Sequence, residues 1–270
     1  MRVPDDARIR APEFPPATAW LNGGPLRMRE LEGSRATLVE FFDLARVNSH
    51  RTLPYLRAWD ERYRDRGLQV VGVHAPGYSF SADPGLVAHV IERLEIGYPV
   101  AIDSAFEIWR AYGNRGWPGR YLFDPAGMLR WVQYGEGEYV GCERAIQDVL
   151  TGLDPGFAPP PPLAPVRPED AEGALLAPQT ADVALPRDRE RLELDGDWSE
   201  GEDYLEAGAA GARARVRSYS AGEAYAVVAG TGVAEPGIRI CDGEVEAPGA
   251  GFRLYGFQFT PARAATAGVE

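Results

Sequence analysis

Lysine is absent from this sequence, and cysteine and histidine are rare. All 28 basic residues are arginine, against 40 acidic residues, which gives a formal net charge of −12. A surface this acidic repels phosphate backbones, so we expect no nucleic-acid partner. No apolar run reaches the roughly 20 residues that a membrane-spanning helix needs, and the first ten residues are polar and charged, unlike a secretory signal. We therefore predict a cytoplasmic protein without a membrane partner.

The two cysteines, Cys142 and Cys241, lie about a hundred positions apart and form no Cys-x-x-Cys pair. Three histidines and two separated thiols show no zinc-binding spacing. The sequence therefore predicts no metal and no cofactor, and two structural cysteines.

Strand and helix patterns alternate along the first 153 residues. Short apolar runs are typical of buried strands, whereas apolar residues three or four positions apart are typical of amphipathic helices. These patterns predict strands at residues 37–42, 68–73, 98–102, 119–124 and 128–133, and helices at 52–66, 84–94, 106–112 and 142–150. This order predicts an α/β domain over residues 1–153, in which helices flank a mixed sheet.

Proline dominates residues 154–186, with four in a row at 159–162. This composition favours extended, semi-rigid backbone, so the stretch is predicted to be a linker, and one long enough to pack along a domain surface. Beyond it the helical period disappears, and short segments separated by glycine and proline predict a small all-β sandwich over residues 187–261. The small, polar residues 262–270 predict a frayed tail.

Four features of the first domain occur in an informative order. Arg46-Val47-Asn48-Ser49 follows a strand that ends in two phenylalanines, Pro54 lies inside the next helix, Trp117-Pro118 directly precedes a strand, and residues 135–139 precede the last helix. With the stretches 50–59, 71–76 and 108–118, they resemble the redoxin (AhpC/TSA, TlpA-like) branch of the thioredoxin superfamily. The resemblance is greatest to the soluble part of DipZ-type thiol-disulfide proteins.

This resemblance implies a thioredoxin-like fold with a cis-proline at Pro118, and it places the catalytic cysteines of the family at Arg46 and Ser49. Such a pair acts because a thiolate at a helix N-terminus attacks a disulfide, and the second thiol resolves the mixed disulfide. Arginine and serine supply no equivalent nucleophile. A glutamate of the family is also replaced, by Gly77. We therefore predict that the site is degenerate and performs no dithiol exchange.

A binding role is the favoured functional hypothesis. The start of the helix near Val47 is expected to present unpaired N–H groups, and Arg46 adds a positive charge beside them. The sequence thus predicts that Arg46, Ser49, Trp117 and Pro118 bind a peptide, a protein or a small anion. The structural alternative is that Ser49 or Asn48 caps the helix, Arg46 pairs with a local acid such as Asp43, and Pro118 is inherited geometry.

Two further functions stay open at this point. One is a thiol-dependent oxidoreductase or peroxidase that uses Cys142, or a thiol cofactor activated by Ser49. The other is a structural scaffold in a homodimer. The second domain resembles the jelly-roll sandwich of DipZ-type proteins, a fold shared with carbohydrate-binding modules, and its short loops favour an accessory packing role.

Overall fold

A computed structural model describes residues 1–4 and 6–264 of the chain. The chain divides into two compact units. The first consists of Met1–Leu44, Asn48–Pro76 and Ala82–Val166, and the second of Ala45–Val47, Gly77–Ser81 and Arg167–Glu270. The second unit thus includes two short segments from the earlier part of the chain.

A six-stranded mixed sheet forms the centre of the first unit, with the strand order β1-β4-β3-β2-β5-β6. β2 is parallel to β3 and antiparallel to β5. The strands are β1 (Ala19–Leu21), β2 (Ala36–Phe42), β3 (Leu68–His74), β4 (Val100–Ile102), β5 (Gly119–Phe123) and β6 (Leu129–Tyr134). The helices are α1 (Met28–Leu31), α2 (Val47–Tyr63), α3 (Pro84–Arg93), α4 (Glu107–Ala111) and α5 (Tyr139–Leu153).

The predicted α/β domain is confirmed as a thioredoxin-like fold. β2 is buried along its whole length, as its apolar run predicts for a central strand. α2 begins five residues earlier than predicted, at Val47, and continues through Pro54. Asp124 closes the β5–β6 hairpin because its side chain accepts hydrogen bonds from the Ala126 and Met128 amides.

The C-terminal part of the second unit forms two antiparallel sheets, which confirms the predicted all-β sandwich. One sheet has the order β13-β12-β15-β10-β9, with β7 also paired to β15, and the other has the order β14-β11-β8. Its strands are β7 (Val183–Ala184), β8 (Leu192–Asp195), β9 (Trp198–Glu200), β10 (Leu205–Ala207), β11 (Arg213–Val216), β12 (Ala224–Gly230), β13 (Gly237–Cys241), β14 (Glu244–Glu246) and β15 (Phe252–Phe259).

The core of this sandwich contains residues of β12 and β15, whose pairing shifts register between Leu254 and Gly256. Phe252, Leu254, Phe257 and Phe259 of β15 are all buried in one apolar cluster with residues of β12. The side chains of β15 that lie between them, among them Tyr255 and Gln258, point to the other face.

The proline-rich stretch divides between the two units, with residues 154–166 in the first and 167–186 in the second. Of the predicted tail, residues 265–270 lie outside the described residues. Ala262 and Ala264 form backbone hydrogen bonds with Ala177 and Leu175. Within the described residues no helix has the length and apolar character required to span a bilayer.

Candidate functional site

Two of the residues singled out in the sequence, Arg46 and Ser49, lie between the end of β2 and the first turn of α2. β2 ends at Phe42, a short loop follows, and α2 begins at Val47. Arg46 therefore directly precedes the helix, and Ser49 lies in its first turn.

Ser49 is buried, with 1% of its surface exposed. Its Oγ accepts a hydrogen bond from the backbone N–H of Asp43 at 3.3 Å. Burial lowers the pKa of the neighbouring His50, whose Nε2 lies 2.6 Å from the Leu44 carbonyl oxygen. The neutral ring donates its Nε2 proton to the Leu44 carbonyl oxygen, so the His50 side chain is hydrogen-bonded to the backbone. The Ser49 hydroxyl, in turn, links the first turn of the helix to the preceding loop.

Below this loop, Asp43 and His74 form a buried pair at the ends of β2 and β3. The Asp43 carboxylate lies 3.5 Å from His74 Nε2, and both side chains are almost completely enclosed. Phe42 of β2 pairs directly with His74 of β3. Asp43, the residue after Phe42, therefore lies at the same end of the sheet as His74. Sequence reasoning predicts a satisfied core or rim position for His74; its ring nitrogens have no hydrogen-bond partner within the described residues.

Arg46 belongs to the second unit, where its contacts are aromatic and acidic. Its guanidinium lies over the Tyr78 ring, 4.5 Å from the centroid, and its Nη1 is 4.0 Å from Asp182 Oδ2. The side chain retains 21% exposure. Asp43, the partner considered in the sequence, pairs with His74 instead. The position of Arg46 is thus set by Tyr78 and Asp182.

The start of α2 also differs from the expectation. The Val47 N–H is not unpaired: it donates to Gln258 Oε1 at 2.7 Å. Gln258 Nε2 donates to the Ala45 carbonyl at 2.7 Å and to the Tyr78 hydroxyl at 3.1 Å. A neutral amide, 1% exposed, therefore occupies the hydrogen-bonding position at which a helix N-terminus would stabilise an anion.

Trp117 and Pro118 lie in the first unit, ahead of β5. The peptide bond between them is cis, as the family resemblance implies. The Trp117 indole N–H donates to the Ala75 carbonyl at 2.9 Å, and its ring packs against Trp109 at 4.6 Å between centroids. Pro118 is buried, and its carbonyl accepts a hydrogen bond from Gly135. Arg46, Ser49 and Trp117 each have a different set of neighbours.

Comparison with known proteins shows which family this chain resembles. Residues 9–132 match the AhpC/TSA family. The thiol-disulfide oxidoreductase YkuV of Bacillus subtilis is 31% identical over 139 residues, which cover 52% of this chain and 93% of YkuV. The chain belongs to the TlpA-like redoxin family. This redoxin is also 36% identical to protein DipZ of Mycobacterium tuberculosis over 173 residues, 63% of this chain but 25% of DipZ. It therefore spans about a quarter of that relative.

A solution structure of a thioredoxin-like protein in the oxidized form is similar to the redoxin at 29% sequence identity. The match covers 53% of this chain and 95% of that chain, with a TM-score of 0.49.

Both thiols of this redoxin are at least partly buried. Cys142 lies in α5 with none of its surface exposed, and burial raises its pKa to about 11 although the Arg120 charge opposes the rise. Cys241 is partly buried, and burial also raises its pKa. Both cysteines are free rather than disulfide-bonded. Both thiols are therefore protonated at neutral pH.

A buried carboxyl–guanidinium pair, Glu40 and Arg120, lies next to Cys142 and was not predicted from the sequence. Glu40 of β2 lies directly opposite Arg120 of β5, with 3.5 Å between Glu40 Oε2 and Arg120 Nε. Arg120 also donates to the Gly137 carbonyl at 2.6 Å and lies 5.1 Å from the centre of the Tyr139 ring. Burial raises the pKa of Glu40 to about 8. A single acidic residue inside an otherwise apolar strand is the signal that could have revealed this pair.

Gln258 was missed for a different reason. It lies 211 positions from Val47, so no local pattern connects the two residues. Among the residues that the structure describes, no group of three or more His, Cys, Asp or Glu side chains is arranged to hold a metal ion.

Proposed function

We propose that this redoxin performs no dithiol–disulfide exchange at residues 46–49 and serves instead as a non-catalytic binding protein. One observation carries the proposal: the two positions that resemble the family's cysteines hold Arg46 and Ser49, whose side chains are engaged in structural contacts. The Ser49 hydroxyl accepts the Asp43 N–H inside the core, and the Arg46 guanidinium lies over the Tyr78 ring.

The chemistry of these two side chains supports the proposal. Exchange needs a thiolate that attacks a disulfide and a second thiol that resolves the product. An arginine side chain stays protonated in proteins and has no nucleophilic sulfur. A serine hydroxyl needs a general base within hydrogen-bonding reach, and the neighbouring His50 ring is bonded to Leu44.

The proposed ligand is an extended peptide, a protein segment or a small anion, and the proposed binding residues are Arg46, Ser49, Trp117 and Pro118. Arg46 and Trp117 retain exposed surface, whereas Ser49 and Pro118 are buried, so the first two are the residues that a ligand would touch. Because Asp182 already lies 4.0 Å from Arg46, a peptide is favoured over a small anion.

Exchange is tested by insulin reduction, with the YkuV protein as a positive control. We expect no turnover above the rate with dithiothreitol alone, and no change on Cys142→Ser. A peroxidase assay is run on the same proteins. Turnover by the unaltered chain in either assay would overturn the non-catalytic proposal. Its loss on Cys142→Ser would assign the activity to that thiol.

Binding is tested by titrating peptides and phosphate into isotopically labelled protein and following the amide and indole resonances. We expect shifts at Arg46 and Trp117 that weaken in Arg46→Met and Trp117→Phe respectively. Arg29→Met, at an exposed site in α1, is the matched control. Shifts confined to other surfaces would rule out binding at these residues.

A structural role is the second candidate, and the contacts of Gln258 favour it. Its side-chain amide bridges the Ala45 carbonyl and the Val47 N–H within the second unit. These backbone groups are therefore already hydrogen-bonded to the protein itself and not open to an external ligand. Light scattering of the full chain tests whether this role includes a homodimer.

A further inference from the structure

The proline-rich residues 157–166, here called the strap, lie within the first unit and form neither helix nor strand. The sequence is Phe-Ala-Pro-Pro-Pro-Pro-Leu-Ala-Pro-Val. Four consecutive prolines favour a polyproline II conformation, which has three residues per turn. Phe157, Pro160 and Leu163 are half-buried, as is Pro162, whereas residues 158, 159, 161, 164 and 165 are exposed. The half-buried positions 157, 160 and 163 lie three residues apart, whereas Val166, the next position of that period, is exposed.

Side chains of α2 and α5 contact the backbone carbonyls of the strap. Gln147 Nε2 donates to the Pro160 carbonyl at 2.8 Å, and Arg62 Nη1 donates to the Pro161 carbonyl at 2.9 Å. Carbonyls in polyproline II have no internal hydrogen-bond partner, so they are free to accept bonds from a recognising surface.

Two further side chains accept hydrogen bonds from the strap amides. The Leu163 N–H donates to Glu143 Oε2 at 2.7 Å, and the Val166 N–H donates to the Tyr55 hydroxyl at 2.7 Å. Proline has no N–H, so positions 163 and 166 must be non-proline for these bonds to form. The contacts therefore specify where prolines can and cannot occur.

The recognising side chains are fixed by a network of their own. Glu143 is 1% exposed, and its Oε1 accepts bonds from the Tyr63 hydroxyl at 2.6 Å and from Arg62 at 2.8 Å. Gln147 also donates to the Tyr63 hydroxyl at 2.9 Å. The Tyr63 ring meets Phe157 edge-on at 6.3 Å. A preformed set of this kind loses little conformational entropy when a peptide binds.

We propose that this surface is a recognition site for proline-rich peptides, and that the strap occupies it as an internal ligand. The surface consists of Tyr55, Arg62, Tyr63, Glu143 and Gln147. The four hydrogen bonds read backbone groups rather than particular side chains: the two amide bonds require non-proline residues at 163 and 166, and the prolines at 160 and 161 favour the extended conformation that presents the two carbonyls. A partner segment with two consecutive prolines and non-prolines two and five residues after the second can therefore replace the strap. Aromatic surfaces that bind extended prolines are a recurrent mode of peptide recognition.

Internal occupancy sets the conditions under which a partner binds. A tethered segment acts at an effective concentration of the order of millimolar, so a free peptide competes poorly while the strap is in place. Weakening the strap should raise the apparent affinity for an external peptide.

The first experiment measures fluorescence anisotropy of a labelled peptide with the sequence of residues 157–166. It is mixed with the full chain and with a full-length variant carrying Pro159→Gly, Pro160→Ser, Pro161→Gly and Pro162→Ser. We expect at least tenfold tighter binding to the variant, and weaker binding of a peptide in which alanine replaces the four prolines. Equal affinity of the two chains for the peptide, or no binding to the folded variant, would overturn the proposal.

Two substitutions in the strap variant locate the bound peptide. Arg62→Met should weaken binding at least tenfold, because it removes the donor to the carbonyl of the peptide residue that corresponds to Pro161. Arg57→Met is the matched control: Arg57 lies on the same helix but bonds to Glu95, so it should have no effect. Peptide binding that Arg62→Met leaves unchanged would place the peptide elsewhere and disprove the assignment.

Hydrogen exchange in the unaltered chain gives an independent test if the strap variant does not fold. The Leu163 and Val166 amides should be protected, and excess peptide should accelerate their exchange by displacing the strap. The alanine-substituted peptide should not. Protection that excess peptide does not alter would show that the segment is fixed structure and would contradict a replaceable ligand.

Discussion

At the scale of single residues, burial decides which polar groups can react and which hold the fold together. Ser49 and Cys142 both carry groups that act as nucleophiles in other proteins, but each is buried. Arg46 is the more accessible residue, and its contact is a cation–π pair with Tyr78. Such pairs contribute about 0.5–2 kcal/mol, depending on desolvation. The loop after β2 and the first turn of α2 therefore carry side chains with hydrogen-bonding and ring contacts to the protein itself.

Cys142 should be unreactive in the folded protein. With a pKa of about 11, roughly one thiol in a thousand is ionised at pH 8, and the side chain has no exposed surface. Reaction with Ellman's reagent at pH 8 should therefore show one accessible thiol, which Cys241→Ser removes and Cys142→Ser retains. Both thiols should react after denaturation. A fast native signal that disappears in Cys142→Ser would contradict this prediction.

Glu40 should make stability depend on pH. Its pKa is raised by burial from 4.5 to about 8, so the unfolded chain loses this proton at a lower pH than the folded chain. Below about pH 4 both states are protonated. Between that pH and about 8 the unfolded state binds fewer protons, so the free energy of unfolding falls as pH rises, by at most about 1.4 kcal/mol per pH unit.

The contribution of Glu40 is the slope of this dependence, measured by denaturation from pH 4 to 9. Glu40→Gln should remove the contribution of Glu40 to the pH dependence of the free energy of unfolding. The substitution also changes the contact with Arg120, which shifts the stability at every pH but not this slope. Glu61→Gln, at an exposed position of α2, is the control and should leave the slope intact. An unchanged slope in Glu40→Gln would mean that the carboxyl is ionised in the folded protein.

At the scale of elements, the short helix α4 depends on one buried carboxylate. Asp103 follows β4, is 4% exposed and accepts hydrogen bonds from the Ile108 and Trp109 amides at 3.1 and 2.8 Å. Both amides belong to the first turn of α4, where the helix has no internal partners for them. Trp109 in turn packs against Trp117, so this cap also positions the tryptophan that precedes the cis-proline.

Removing this cap should destabilise the first unit. Asp103→Ala leaves two amides without partners and should lower the free energy of unfolding by about 2 kcal/mol, whereas Asp103→Asn keeps one acceptor and should cost less. Chemical denaturation gives the energies, and tryptophan fluorescence reports the Trp109–Trp117 contact. Asp65→Ala, at an exposed position, is the control. A loss in Asp103→Ala no larger than that in Asp65→Ala would show that the cap is not stabilising.

The elements that the sequence predicts are those with a long, regular pattern. The apolar run of β2 and the turn between β5 and β6 are visible locally, so the central sheet could be predicted. β1 and α1 have only three and four residues, too few to show a period. The apolar period alone predicts α2 only from residue 52, because residues 47–51 are polar or β-branched and show no helical period; the family resemblance is what placed the helix start near Val47.

At the scale of the whole molecule, the chain does not divide in sequence where it divides in space. The second unit includes Ala45–Val47 and Gly77–Ser81, each flanked by residues of the first unit. The location of positions 46 and 49 between β2 and the first turn of α2 could be predicted from sequence, because strand, loop and helix are adjacent in the chain. The side chains that occupy it could not, because Gln258 and Asp182 come from the far end of the sequence.

The amide of Gln258 should be the group that holds the start of α2. Gln258→Leu preserves much of the buried volume but leaves the Val47 N–H and the Ala45 carbonyl without this partner, which should cost about 2–3 kcal/mol. Hydrogen exchange of the Val47 amide should accelerate at least tenfold, while exchange in the buried strand β2 should change little. Gln179→Leu, at an exposed position of the same unit, is the control. If the Val47 amide exchanges equally slowly in both variants, the start of α2 does not depend on the Gln258 amide. The hydrogen bond to Gln258 would then be a consequence of the fold and not a source of local stability.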